Sequence, residues 1–464
     1  TPPNRARSVL ALAVAVACLG TAHAKPQEHG KLGLGLRELS EIQARHRDLS
    51  AAGLRTVLDS GTSRARLAVL DEHSRVRVNV HLDGRVPLER LRSAARALGA
   101  EPMAAVPQYR HGVFSAYLPI AQAHALAGLA GVKSVVLSPR PVADVGTVTS
   151  QGAATVRADQ VNNLGITGAG VTVGVLSDSY DTATGARTHA AGDVVTGDLP
   201  GPANPNGYTS PVVLIEDVGG GSDEGRAMMQ IIHDLAPGAK QCFATAFNGE
   251  VGFADNIRQL ADPNGPCKAD VVVDDVIYFT EPMFSDGIIA QAADEVAAQG
   301  VSYFASAGNR GSTMGYLAGY NKVDDAVARA SSQTVNLALI APGSSDGGFH
   351  NLATDGSIDV SRTISLTGGS NTLVQWNDPF DAGAVTTDYD LYLFNSTGTA
   401  VVAQSSDDNF ATDQPVEAVQ VGPGTYQIVV VRSDTTTTKR SSSSPRRWRW
   451  SASAPRRASS TWRR

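Results

Sequence analysis

After one apolar run near the N-terminus, the 464-residue sequence has no segment apolar enough to cross a bilayer, which takes about twenty such residues. No membrane partner is expected. A strong excess of charge of one sign is missing too: 39 Lys and Arg stand against 45 Asp and Glu, for a formal net charge of −6, which gives no basis for a nucleic-acid partner. Cysteine is scarce. Of three, Cys18 lies in the apolar run, and Cys242 and Cys267 are left as either one disulfide or two buried thiols. What remains is ordinary: 42% hydrophobic and 18% charged residues suit a soluble globular protein, and the length suggests about three domains.

The apolar run itself is a targeting signal. Arg5-Ala6-Arg7 precedes SVLALAVAVACLG, and Ala22-His23-Ala24 supplies a small-x-small cleavage site. Residues 1–24 are therefore expected to be a signal peptide, and the protein to be secreted, periplasmic or extracellular. Residues 25–150 follow as a separate region whose centre, about 75–142, alternates strand and helix patterns. VRVNVHL, GVFSAYLP and KSVVLSP read as strands; PLERLRSAARALGA and IAQAHALAGLAG read as helices. A small α+β module between a signal peptide and a larger domain is a common plan for a removable propeptide.

From residue 168 the pattern changes. GVTVGVLSDS, PVVLIED, KQCFATA, ADVVVDDV and VSYFASAGN are apolar strands with helices between them, which implies a parallel sheet covered on both faces. Ligand sites in such sheets lie at the carboxyl ends of the strands, where Asp178, Asp275 and Asn309 fall.

These motifs carry a resemblance. GAGVTVGVLSDSYD resembles the aspartate strand of the subtilase serine peptidases, EGRAMMQIIHDLAPGA their histidine helix, and FASAGN their oxyanion-asparagine strand, in the right order over residues 168 to 310. The resemblance implies an α/β catalytic domain over 151–333 with a subtilisin-like parallel sheet. It implies Asp178 as triad acid, with Asp181 the weaker candidate, Asn309 as oxyanion donor and Asp275 on the substrate-pairing strand, close to the triad. It implies peptide or protein substrates, no cofactor, a monomer, and an upstream module that acts as chaperone and inhibitor. At the histidine position stands Glu224. The sedolisin peptidases, of similar fold, use Ser-Glu-Asp, so Glu224 is expected to be the general base, with a preference for acid pH. His233 cannot take that place, being nine residues along, about 180° round the helix and roughly 13 Å up its axis. Glu224 is expected to point inward with Met228 and Ile231, and His233 to face solvent with Arg226 and Gln230. Asn309 is the subtilase choice where sedolisins have aspartate, so the site is a hybrid.

The nucleophile is the missing piece. The family's serine lies in a Gly-Thr-Ser turn downstream of the asparagine, and the only such tripeptide is Gly61-Thr62-Ser63, upstream of the module. Ser344-Ser345 reads as turn chemistry. Residues 334–434 instead read as short strands separated by turns, TVNLALIAP being the first, which suggests an inserted β-sandwich. Within it DYDLYLFNSTGTAV resembles the pre-peptidase C-terminal domains of secreted bacterial proteases. Asp388 and Asp390 are expected to be exposed acids, with a structural calcium ion the alternative. Residues 435–464 are low in complexity and hold nine Lys or Arg from Lys439 onward, so the rest carries −6 − 9 = −15. A shifted reading frame accounts for this tail better than a basic arm for nucleic acid. The chain is then expected to stop short of its nucleophile and to be inactive as given. The alternative is a secreted, non-catalytic binding protein.

Overall fold

The structure, a computed structural model, describes residues 30–46, 51–60, 64–139, 142–143, 150, 152–308, 315–331, 333–340, 347–366, 370–433 and 447–451. The expected signal peptide, Gly61-Thr62-Ser63, Asn309 and Ser344-Ser345 lie outside the described residues.

The N-terminal module is a five-stranded sheet. Strands β1 (Leu32–Gly33), β2 (Arg75–Leu82), β3 (Glu101–Val106), β4 (Val113–Pro119) and β5 (Val132–Leu137) lie in the order β1-β5-β2-β4-β3. Helices α1 (Leu36–Arg45), α2 (Ala51–Ser60), α3 (Leu88–Ala97) and α4 (Ala123–Ala127) accompany it, so that β2 to β5 form a β-α-β-β-α-β unit. Val76, Val78 and Val80 bury one face of β2 completely. β3 was not anticipated from the sequence. Pro102 argues against a strand, but β3 is the edge of its sheet, where a missing N–H is tolerated.

The five strands expected from residue 168 onward form one parallel sheet. After β6 (Val142–Ala143) and the short helices α5 (Gly152–Thr155) and α6 (Ala158–Asn163), the chain enters β7 (Thr172–Ser177). Helix α7 (Ala190–Thr196), β8 (Val213–Glu216), α8 (Glu224–Leu235), β9 (Lys240–Thr245), α9 (Glu250–Ala261), β10 (Val271–Asp274), β11 (Val276–Ile277), α10 (Ile288–Ala298) and β12 (Ser302–Ala305) follow. The strand order is β12-β10-β7-β9-β8.

The period of two sorts the apolar side chains onto two faces. Val173, Val175 and Phe243 pack with Met229 of α8 on one face; Leu176, Ala244 and Val272 pack with Ile257 of α9 and Ala292 of α10 on the other. Each fully buried Val, Leu or Phe contributes about 2 kcal/mol by leaving water. Cys242 and Cys267 form a disulfide, settling that alternative. β8 and β9 lie on one side of β7, and β10 and β12 on the other, so the chain switches sides at β7, and the carboxyl ends of β7 and β10 are where open sheets of this kind place a ligand crevice.

The β-rich segment forms two sheets packed face to face. One runs β13 (Gly315–Gly319), β22 (Arg447–Ser451), β17 (Ser370–Trp376), β20 (Val416–Val421). The other runs β14 (Lys322–Val323), β15 (Gly348–His350), β21 (Gly424–Arg432), β18 (Tyr389–Asn395), β19 (Val401–Ser405), with β16 (Arg362–Leu366) also paired to β21. Trp376 and Val419 from the first meet Leu391, Leu393 and Ile428 from the second in one core. Two expectations are corrected here. TVNLALIAP is not a strand: Leu337–Leu339 is a single 3₁₀ turn, because the Asn336 side chain accepts the Ala338 N–H at 3.2 Å and closes it locally. Asp388 and Asp390 are not exposed. They are 0% and 6% accessible, because they stand just before and within β18, which lies between two other strands rather than at a rim, and burial pushes the Asp388 carboxyl well above its ordinary range. Among the described residues no group of three or more His, Cys, Asp or Glu is arranged to hold a metal ion. The arginine-rich β22 takes a central place in its sheet, between β13 and β17.

Candidate active site

β7 runs out at the crevice and delivers Asp178, which is 4% accessible. Its carboxylate accepts the backbone N–H and the hydroxyl of Ser222, the hydroxyl at 2.6 Å, together with the Glu224 N–H at 3.0 Å and the Ser179 N–H. The reason lies in α8. The residue before it, Asp223, has left-handed backbone (φ 60°) and makes no side-chain cap. Helix starts leave N–H groups without intrahelical partners, and here Asp178 of the neighbouring strand takes that of Glu224 while the Ser179 hydroxyl takes that of Asp223. A negative side chain also meets the positive end of the helix.

Glu224 is thereby fixed at both ends. Its N–H is held by Asp178, and its carboxylate accepts the Ser177 hydroxyl at 2.7 Å. It is 7% accessible and turned inward, as expected. Two glycines permit the close fit. A Cβ on Gly225 would strike the Phe243 ring and come within 2.8 Å of the Ser179 carbonyl, and one on Gly221 would meet the Ser179 side chain.

The rest of α8 departs from the sequence reading. Arg226 and His233 are 5% and 3% accessible, while Ile231 is 42% exposed, so the buried stripe passes through Gly225, Arg226, Met229 and His233. A helix-period reading treats polar residues as outward, but the loop between α7 and β8 covers this side. His233 contacts Asn204 (3.2 Å) and the Tyr208 ring (centroids 5.5 Å apart), and burial lowers its pKa. Arg226 donates to the carboxylates of Asp193 and Asp223 and to the Tyr180 carbonyl. Burial works to raise the Asp223 carboxyl, but Arg226 and the N–H groups of Thr182 and Ala183 outweigh it and hold the pKa below the ordinary value.

Asp275 follows β10 directly and is half-buried; the β7–β10 register pairs Leu176 with Asp274, which brings Asp178 and Asp275 to the ends of adjacent strands. Its neighbour Asp274 is the more perturbed acid. Burial pushes Asp274 up to about 7, against the pull of the Tyr303 hydroxyl at 2.7 Å, and the Asp275 charge adds to the rise. Beyond Asp275, β11 is paired antiparallel with β6, Val276 opposite Ala143 and Ile277 opposite Val142. Ser177 and Ser222, which hold the two carboxylates, were not singled out from the sequence. The only signal was the Ser-Asp-Glu order that opens α8. Neither any protein-family model nor any curated protein matches the chain.

Proposed function

We propose that this protein is a secreted serine-type endopeptidase of the subtilase kind, with Glu224 in place of the catalytic histidine. One observation carries the reading. A two-residue strand from the tail of the N-terminal module lies antiparallel on β11, immediately beyond Asp275 at the carboxyl edge of the parallel sheet. An extended peptide added to an exposed strand is how a protease holds a substrate, since backbone hydrogen bonds accept any sequence. The module is then the inhibitor, its tail lying where substrate would lie.

In this reading Glu224 removes the proton from a serine hydroxyl as that oxygen attacks the peptide carbonyl, and returns it to the leaving amine. Ser177 holds the Glu224 carboxylate, and Asp178 anchors the first turn of α8 that carries it. Asn309 donates its amide to the oxyanion, a contact worth about 3 kcal/mol in such sites. No Gly-Thr-Ser follows Asn309 within residues 1–464, so the serine is not assigned to a residue here.

A non-catalytic binding protein is the alternative, and one observation favours it: Asp178 is occupied as the cap of α8, a structural task. Casein hydrolysis by a chain in which a Gly-Thr-Ser turn follows Asn309 separates the two. Hydrolysis that Glu224→Gln abolishes, with unfolding unchanged, supports the peptidase; binding of peptide without hydrolysis in both supports the alternative.

A further inference from the structure

The second face of β2 is polar and nevertheless buried. Arg77, Asn79 and His81 are 2%, 2% and 7% accessible, because the parallel-sheet region and the sandwich both close on them. Arg77 donates to the carbonyls of Phe247, Ser138 and Pro139. Asn79 donates to Glu250, the first residue of α9, at 3.4 Å, and Thr280 donates to the same carboxyl. His81 lies 3.4 Å from the Asp381 carboxylate and 3.2 Å from the Gln414 amide, both in the sandwich. The Tyr109 hydroxyl, from the turn between β3 and β4, donates to Asp381 at 2.9 Å. A cavity of about 30 Å³ lies among Glu250, His81, Tyr109 and Asp381. An apolar seat adjoins it, where the module's core continues into Ile277, Phe279, Leu373 and Phe380.

We propose that this three-way junction is a pH-sensitive clamp, which holds residues 30–139 between the parallel sheet and the sandwich while Glu250 is neutral and loosens when Glu250 ionises. Glu250 is fully enclosed only while the three parts are together, and burial pushes it up to about 7. Thr280 and Arg77 oppose that rise, as does the start of α9, but burial outweighs them and the Asp381 charge adds to it. The Arg77 N–H groups are directed to backbone carbonyls rather than to the Glu250 carboxyl. The groups facing Glu250 are thus Asn79 and Arg77 from β2, Thr280 and Tyr278 from the segment after β11, Asp381 from the sandwich, and His81, Tyr109 and Glu281 around the cavity. In the open state the carboxyl returns toward its ordinary 4.5. Closure is therefore strongest below about pH 4.5 and weakens as pH rises to about 7, by about a hundredfold in the closing equilibrium.

The consequence, release of inhibition, rests on the peptidase reading; the clamp itself does not. Hydroxyl-radical labelling of the whole chain at pH 5 and pH 8 tests it without any turnover. Tyr109 and Phe380, 3% and 4% accessible, report the junction, and Tyr389, 2% accessible in the sandwich core, is the control. Labelling of Tyr109 and Phe380 is expected to rise at least tenfold at pH 8 while Tyr389 stays constant, and Glu250→Gln is expected to abolish the rise. Should Glu250→Gln not fold, Asp381→Asn is expected to shrink the rise, since it removes the charge that adds to the shift. An equal rise in the variants, or a constant Tyr109 in the folded wild type, overturns the clamp whatever the outcome of the casein assay.

Discussion

Glu224 gives its backbone N–H to the Asp178 carboxylate at 3.0 Å, so the residue proposed as base is tied to the strand end by its main chain and keeps its side chain for Ser177. Asp178 thus joins β7 to α8. Replacing it with Asn removes a charged acceptor from several N–H and O–H donors, at a cost of about 2–3 kcal/mol. A lower urea midpoint is expected. An unchanged midpoint would count against the capping role.

Gly225 sets how closely α8 approaches the sheet. Gly225→Ala is expected to force the Phe243 ring aside and to lower stability by about 1–3 kcal/mol, visible as a lower melting temperature. In a helix interior Gly→Ala normally stabilises by up to about 1 kcal/mol, so the sign of the change is itself the test.

Asp274 gives the sheet a pH dependence with a definite sign. Its folded pKa of about 7 lies above the ordinary 3.8, so its contribution is fully present below about 3.8 and is lost as pH rises to about 7. Stability is expected to fall by up to about 4 kcal/mol across that window. Asp274→Asn, which can still accept the Tyr303 hydroxyl, should flatten the curve measured by urea unfolding at pH 4 and pH 7.5.

The disulfide closes a loop with a sequence separation of 25 and ties β9 to the segment before β10. Reduction is expected to cost about 3 kcal/mol, read as a lower melting temperature in dithiothreitol. The Cys242→Ala, Cys267→Ala double variant should lose a similar amount and be indifferent to reductant.

Much of this arrangement was legible in the sequence, for a physical reason. β7 is buried on both faces and therefore appears as an unbroken apolar run, while Gly225 and the acids at strand ends mark the crevice. The errors came from neighbours distant in the chain. Arg226 and His233 are polar residues on a buried stripe, contacted by Asp193 and Asn204, and no local periodicity reports such partners. β3 is hidden by Pro102, which only its edge position permits. The polar face of β2 likewise gives no local sign that α9 and the sandwich close over it.

A carboxylate base and the clamp make opposite demands on pH. The module is held most firmly at acid pH, whereas hydrolysis by a carboxylate base is expected to favour acid pH once the module has gone. A protein processed at neutral pH and then acidified should be more active on casein than one kept acid throughout.

Acylation tests the central claim most directly. A chain in which a Gly-Thr-Ser turn follows Asn309 would be treated with a fluorophosphonate and the adduct mapped by mass spectrometry, beside Glu224→Gln. The account predicts one labelled serine carboxyl-terminal to Asn309 in the wild type and at least a hundredfold slower labelling in the variant. A folded wild type with no labelled serine, or labelling indifferent to Glu224→Gln, would contradict it and leave a binding protein on a peptidase-like scaffold.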